Sequence, residues 1–140
     1  MSVNVKSRIH RTIKDFENYR EITAENAGEL LDDLVLANDE ICYGIYENKL
    51  RERNEQVAIT NNGLHLFRNG SWILVKYADI EEVKFDADKS EADALILLLK
   101  QDKRLELPVR GRKGKFRDVF EFSRFLNRVI SDVNKKNVTE

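Results

Sequence analysis

The sequence has little of what marks an exported, cross-linked or membrane-spanning protein. It has one cysteine, Cys42, in 140 residues, so no disulfide can form within the chain, and we expect a reducing, cytoplasmic location. The longest apolar run, Ala94–Leu99, is far shorter than the roughly 20 residues that cross a bilayer. No apolar segment of signal-peptide length follows the N-terminus. We therefore expect neither a membrane span nor export by a classical signal.

The chain also lacks a surplus of either charge. Its 24 Lys and Arg residues nearly balance its 25 Asp and Glu residues, which leaves a net charge of -1. Nucleic-acid binding normally needs a basic excess, so we do not expect a nucleic-acid partner. With 41% hydrophobic and 35% charged residues, the composition is typical of one folded domain with a charged surface.

Catalytic motifs are missing as well. His10 and His65 stand alone, and no His-x-x-x-His or Cys-x-x-Cys spacing occurs. Gly111 and Gly114 do not form a phosphate-binding loop, because the Gly-x-x-x-x-Gly-Lys-Ser/Thr pattern is absent. Cys42 lies among apolar neighbours, so we predict a buried hydrophobic side chain and not a nucleophile. We expect no enzyme activity, no metal and no cofactor.

Helical periodicity is present at both ends of the chain. Val5, Ile9 and Ile13 recur at the spacing of one helix face, and Thr23 is a suitable cap for a second helix. We therefore predict an N-terminal helical pair over residues 5–37. From residue 115 a broad apolar stripe at helical spacing runs to Val133, and so broad a stripe requires a sheet to cover it.

Between these helices the pattern changes to the period of two that is typical of strands. Turn residues such as Asn62-Gly63 and Asn69-Gly70 separate the apolar segments. We predict seven strands, at residues 41–46, 56–60, 64–67, 72–77, 80–85, 94–100 and 104–109.

Seven short strands followed by one long helix resemble the pleckstrin-homology (PH) superfold. The stretch Gln56-Val-Ala-Ile-Thr-Asn-Asn-Gly-Leu64 is similar to the "strand, Thr, turn, Gly, hydrophobic" opening of bacterial PH-like and GRAM-like domains. Tyr77-Ala-Asp-Ile-Glu-Glu-Val83 is similar to the phrase that often begins their fifth strand. Two features depart from the family pattern: the only tryptophan, Trp72, lies in a strand and not in the final helix, and helices precede the strands.

The resemblance implies an α+β, mainly β fold: a seven-stranded antiparallel barrel capped by a C-terminal helix. We predict that residues 1–38 form a helical extension packed on the barrel, that residues 39–134 form the PH-like domain, and that residues 135–140 are a disordered tail. Such bacterial domains can assemble into oligomers, so the resemblance also implies a protein partner or self-association.

Two basic sets are candidate anion-binding sites. Lys49, Arg51 and Arg53 alternate in the first connection between strands, where lipid-binding PH domains carry basic residues for inositol phosphates. Glu47, Glu52 and Glu55 interleave them, so a solvated loop of mixed charge is the competing interpretation. The second set lies between the last strand and the C-terminal helix and comprises Arg110, Arg112, Lys113, Lys115 and Arg117.

The second set could hold a phosphate or an acidic partner. Residues 21–48 contain no Lys or Arg but many acids, so the alternative is that the acidic and basic blocks face each other, within one chain or across a homo-oligomer. We predict a non-catalytic binding or scaffold module that acts through protein–protein interaction or self-association. Binding of anionic lipid or phosphate by the basic loops is the alternative, and a small enzyme is the third hypothesis.

Overall fold

The computed structural model describes residues 5–14, 16–31, 33–49, 52–87, 92–111 and 118–138, with side chains as far as Asn134. These residues form two antiparallel sheets and three helices. In chain order the elements are α1 (Val5–Thr12), β1 (Tyr19–Glu21), α2 (Ala27–Leu30), β2 (Cys42–Tyr46), β3 (Val57–Thr60), β4 (Gly63–Arg68), β5 (Ser71–Lys76), a 3-10 turn (Tyr77–Asp79), β6 (Ile80–Phe85), β7 (Ala94–Leu99), β8 (Lys103–Pro108) and α3 (Asp118–Val138).

The strands pair in sequence order within each sheet. One sheet has five strands in the order β1-β2-β3-β4-β5, and the other has three in the order β6-β7-β8. The seven predicted strands correspond in order to β2 through β8, but the described residues form eight strands. The prediction of one closed seven-stranded barrel is wrong in detail, because the described residues form separate sheets of five and three strands, and β1 adds an eighth strand.

The predicted N-terminal helical pair is confirmed only in part, because a first helix is present but ends earlier than expected and the second is reduced to one turn. Helix α1 ends at Thr12, where the amides of Ile13 and Lys14 both reach the carbonyl of Ile9, at 3.0 and 2.9 Å. The chain then turns and adds Tyr19–Glu21 to β2 as a strand. The second helix is a single turn, Ala27–Leu30. Pairing with β2 provides hydrogen-bond partners for the backbone of β1, and this gain outweighs the helical preference indicated by the local sequence period.

Helix α3 packs against the 3-10 turn, β6 and β7. Its Phe122 also meets Tyr46 of β2 edge-on at 5.6 Å between ring centroids, on the face of the five-stranded sheet that we call the inner face. Phe122, Phe125 and Val129 are fully buried in the main core, where Phe125 meets Tyr77 edge-on at 6.4 Å between ring centroids. Each such side chain stabilises the fold by roughly 1.5–3 kcal/mol. The apolar stripe predicted for this helix is therefore confirmed. Helix α1 packs beside α3 and contributes Ile9 to the same core.

The opposite, outer face of the five-stranded sheet is covered by the segment that follows β1. Leu30 packs there with Cys42, Ile45 and Ala58 in a second apolar cluster. Cys42 is buried as predicted, and burial raises the pKa of its thiol to about 11. Both faces of the sheet are therefore covered near β2 and β3, and exposed apolar surface remains towards β5.

Candidate functional site

The described members of the first predicted basic set contact acidic and aromatic groups of the same chain. Lys49 forms an exposed ion pair with Glu52 at 3.3 Å. The guanidinium of Arg53 pairs with Asp33 and stacks 4.3 Å from the centre of the Phe67 ring. Arg51 lies outside the described residues. Lys49 thus pairs with an acid of its own loop, whereas the partners of Arg53 lie outside it, and anion binding by this set stays a prediction.

Arg110, the described member of the second basic set, is held between two carboxylates. Its Nε and Nη2 donate to Glu55 at 2.9 and 3.2 Å, and its Nη1 donates to Asp93 at 2.9 Å. The hydrogen bonds to Glu55 are the main reason that the pKa of this guanidinium is raised. Arg112, Lys113, Lys115 and Arg117 lie outside the described residues, so their role in anion binding stays a prediction.

A buried polar cluster, absent from the sequence-based predictions, ties the outer segment to the sheet. The Oε2 atom of Glu40 accepts a hydrogen bond from Thr60 at 2.6 Å and lies 2.8 Å from Nε2 of His65. The other oxygen accepts the amide of Ala37 at 3.1 Å. Burial alone would raise the pKa of Glu40, but these hydrogen bonds outweigh it and lower the pKa.

We call the cluster of Glu40, Thr60 and His65 the latch, because its hydrogen bonds join the segment before β2 to β3 and β4. The side chains of His65 and Glu40 are only 5% and 3% exposed. Each oxygen of Glu40 accepts a hydrogen bond from a group of the same chain, and these hydrogen bonds stabilise the charged carboxylate in place of water. The latch fixes the turn before β2 onto β3 and β4, and it thereby places the preceding residues 33–36 beside β5.

The free edges of a sheet are potential sites of unwanted pairing, and three of the four edges of the sheets formed by the described residues carry protection. Strand β1 is three residues long and contains Arg20 and Glu21. Strand β6 is highly charged and is irregular between Ile80 and Glu82. Strand β8 begins with charged residues and ends at Pro108, which has no amide hydrogen to donate. Each device disfavours addition of another strand.

Strand β5 is the least protected edge: it has six residues, no proline and no bulge, and its only charged residue is Lys76 at its end. Its sequence, Ser-Trp-Ile-Leu-Val-Lys, is apolar at its centre, and its register with β4 is regular from end to end. Ile73 and Leu74 are 39% and 43% exposed, which is unusual for large apolar side chains in a strand. Within the described part of the chain, β5 pairs with β4 alone.

The turn before β5 determines which of its backbone groups are free. Asn69 and Gly70 both have positive φ, 54° and 82°, as the tightest hairpin turns require. Arg68 faces Ser71 directly across this turn. In the antiparallel ladder that starts there, alternate residues bond to β4, so Trp72, Leu74 and Lys76 direct their amides and carbonyls away from the sheet.

A groove of about 430 Å³ lies against the outer face of β5. Val35, which is 87% exposed, stands at its rim. Trp72 is fixed in its wall by a 2.9 Å hydrogen bond from the indole to Asp33. The groove is lined by Asp33, Leu34, Val35, His65, Gly70, Ser71, Trp72 and Leu74. Alternate side chains of a strand added to β5 would enter this groove.

The described residues offer no metal centre, since no three of their His, Cys, Asp or Glu side chains converge on one point. Among the helices of those same residues, none is both long and apolar enough to cross a membrane.

Comparison with known proteins supports the fold. No family model matches the chain, and no curated protein matches it. The structure is similar to the crystal structure of a DUF1696 family protein with a pleckstrin-homology domain from Shewanella loihica PV-4, with a TM-score of 0.51 and 20% sequence identity. The match covers 81% of this chain and 97% of that chain. The predicted PH-like fold is therefore confirmed, while a fold of this kind serves many functions.

Proposed function

We propose that this PH-like chain is a non-catalytic binding module that associates with another polypeptide by strand addition at the edge of β5. One observation carries the proposal: β5 is a regular, apolar edge strand, whereas the other edges of the described sheets are short, charged, irregular or closed by proline. Strand addition uses main-chain hydrogen bonds for affinity and side-chain pockets for specificity. The groove beside Trp72 and Leu74 provides such a pocket.

The partner that fits this edge best is a second copy of the chain. In an antiparallel pair centred on Leu74, that residue faces its own copy, and Trp72 faces Lys76 of the second copy. The first contact is apolar, and the second places an ammonium group beside an indole ring. The outward amides and carbonyls of Trp72, Leu74 and Lys76 would then form hydrogen bonds with those of the second copy, across the two-fold axis that relates the two copies.

The expected affinity is modest. Each new main-chain hydrogen bond contributes about 0.5–1.5 kcal/mol net. Burying the remainder of Ile73 and Leu74, which are 39% and 43% exposed, adds about 1 kcal/mol each. Association costs about 4–15 kcal/mol in lost freedom of motion. Because these gains are of the same order as the cost, we expect a weak dimer, with a dissociation constant on the order of micromolar to millimolar.

Sedimentation velocity from about 5 to 500 μM tests the proposal. We expect the weight-average sedimentation coefficient to rise with concentration for the natural chain. The Leu74→Lys variant places two lysines on the two-fold axis, so it should remain monomeric. Ile41→Lys is the matched control, because Ile41 is also an exposed apolar residue, at 56%, but lies outside β5. A natural chain that stays monomeric throughout, or a control variant that dissociates as readily as Leu74→Lys, would reject self-association through β5.

The alternative function, binding of anionic lipid by the loop of Lys49 and Arg53 and by Arg110, is not favoured by a specific contact. Acidic groups already pair with these three side chains. An anion would have to compete with those carboxylates, which lowers its affinity. Residues 112–117 keep the alternative open as a prediction.

A further inference from the structure

A second concave surface lies towards the opposite edge of the five-stranded sheet from the β5 groove. It is a cleft of about 520 Å³ between α1 and the paired strands β1 and β2. This volume is within the range of small-molecule sites. Its lining comprises Lys6, Ile9, His10, Lys14, Tyr19, Glu21, Ile22, Ile41, Cys42 and Tyr43.

One wall of the cleft is basic. Lys6, His10 and Lys14 follow one another at intervals of four along α1 and the turn after it, so they share one side of the helix. All three side chains are exposed, and within the described part of the chain none of them has an ion-pair partner. Arg8 points elsewhere and is paired with Asp132 at 2.8 Å.

The helix dipole does not account for this basic wall. Cations are favoured near the C-terminus of a helix, which explains basic residues in the last turn of α1. Lys6 lies in the first turn, where the dipole disfavours a cation. Two lysines, Lys6 and Lys14, against one acid, Glu21, therefore give the cleft a positive field that the stability of α1 does not require.

The floor and far wall of the cleft are apolar and phenolic. Ile9 and Cys42 are buried beneath it, and the half-buried rings of Tyr19 and Tyr43 form the wall that faces the basic groups. The Tyr19 ring lies over Gly44, where a Cβ atom would collide with it. The fold therefore holds this ring at the cleft by leaving the adjacent β2 residue without a side chain.

We propose that this cleft binds a small anion with an apolar body, namely a phosphate or carboxylate group attached to an alkyl or aryl chain. The anionic head lies against Lys6, His10 and Lys14, and the apolar part lies on Ile9 and the tyrosine rings. A phosphate head can belong to a free metabolite or to a membrane lipid, and both share this chemistry. The site is separate from the β5 edge, so it does not depend on the proposed self-association.

Calorimetric titration with octyl phosphate, octyl glucoside and inorganic phosphate tests the ligand class. Octyl phosphate should bind at least about tenfold more tightly than either of the others, because only it satisfies both the basic wall and the apolar floor. Its affinity should fall as salt is added. Equal binding of octyl phosphate and octyl glucoside would overturn the proposal, since the basic wall would then contribute nothing.

Variants locate the site. The double variant Lys6→Gln and Lys14→Gln should weaken octyl phosphate binding about tenfold, while Arg11→Gln, an exposed basic residue of α1 outside the cleft lining, should change it less than about twofold. Circular dichroism melting confirms that each variant is folded. Amide shifts in an NMR titration should cluster at Ile22 and Tyr43. Shifts confined to β5, or equal losses in the test and control variants, would refute the assignment.

Vesicle pelleting separates the two sources of the ligand. Vesicles of phosphatidylglycerol, compared with phosphatidylcholine, should pellet the protein through the same lysines if the head group of a lipid is the ligand. Binding of octyl phosphate without such pelleting supports a free amphiphilic anion.

Discussion

Replacing Thr60 with valine removes one hydroxyl from the buried latch while leaving the shape of the side chain almost unchanged. The hydroxyl of Thr60 is fully buried, donates to Glu40 at 2.6 Å and accepts the amides of Asn62 and Gly63, both at 3.1 Å. The bond to a charged carboxylate contributes about 1.5–3 kcal/mol, and the buried amide of Gly63 loses its acceptor at further cost. We expect the free energy of unfolding to fall by about 2–4 kcal/mol.

Urea denaturation measures this change. The midpoint should move to lower urea with an unchanged slope, and the melting temperature should drop by roughly 10 °C. Thr12→Val is the matched control, because the Thr12 hydroxyl only supplements a helix carbonyl, that of Arg8, at 2.7 Å. The control should lose less than about 1 kcal/mol. A Thr60→Val variant no less stable than the control would refute the claim that the latch holds the outer segment on the sheet.

Three further predictions concern the latch, β1 and the β4–β5 turn. Burial raises the pKa of Glu40, but the hydrogen bonds lower it by more, so the pKa lies below its ordinary value of 4.5. The ionised form therefore contributes stability that is present above pH 4.5 and lost as the pH falls through the folded-state pKa. The stability difference between the natural chain and Glu40→Gln should accordingly shrink in acid, and a constant difference would contradict this. Gly44→Ala should lower the free energy of unfolding, measured by denaturant titration, by about 1–3 kcal/mol, because the added methyl group displaces Tyr19. Gly28→Ala, where an added methyl group meets nothing within 4 Å, should be neutral or stabilising. Equal effects of the two substitutions would disprove the packing argument. Gly70→Ala should lower stability by about 1 kcal/mol because φ is 82° there, and an unchanged melting temperature would count against that.

Local patterns were sufficient for the seven strands from β2 to β8. Period two and the Asn-Gly turns act within a few residues, so no distant contact is needed to recognise them. The same is true of the apolar stripe of α3. These features are the ones for which sequence and structure agree.

The first 38 residues show where local patterns fail. Tyr19 fits a helical period, yet it belongs to β1, whose pairing with β2 depends on Gly44, more than twenty residues away. Leu31 and Leu34 have helical spacing too, but they pack on the outer face of the sheet from an irregular segment. Long-range pairing decided both outcomes, and a single sequence does not reveal it.

Charge partners were equally hidden. Arg110 and Glu55 are far apart in sequence, as are Arg53 and Asp33, so a list of basic residues could not show that they are neutralised. The latch was hidden for the same reason, although one indication existed: His65 is a polar residue between Leu64 and Leu66 in an apolar strand. The basic wall of the α1 cleft had an indication as well, the four-residue spacing of Lys6, His10 and Lys14.

Amide hydrogen exchange along β5, measured at low and at high protein concentration, tests the central claim most directly. Ile73 and Val75 bond to β4 and should be protected at every concentration. Trp72, Leu74 and Lys76 direct their amides to the free edge, so they should exchange quickly in the dilute protein and become protected as the concentration rises. If these three amides exchange equally fast at all concentrations, the edge of β5 does not bind a second copy of the chain.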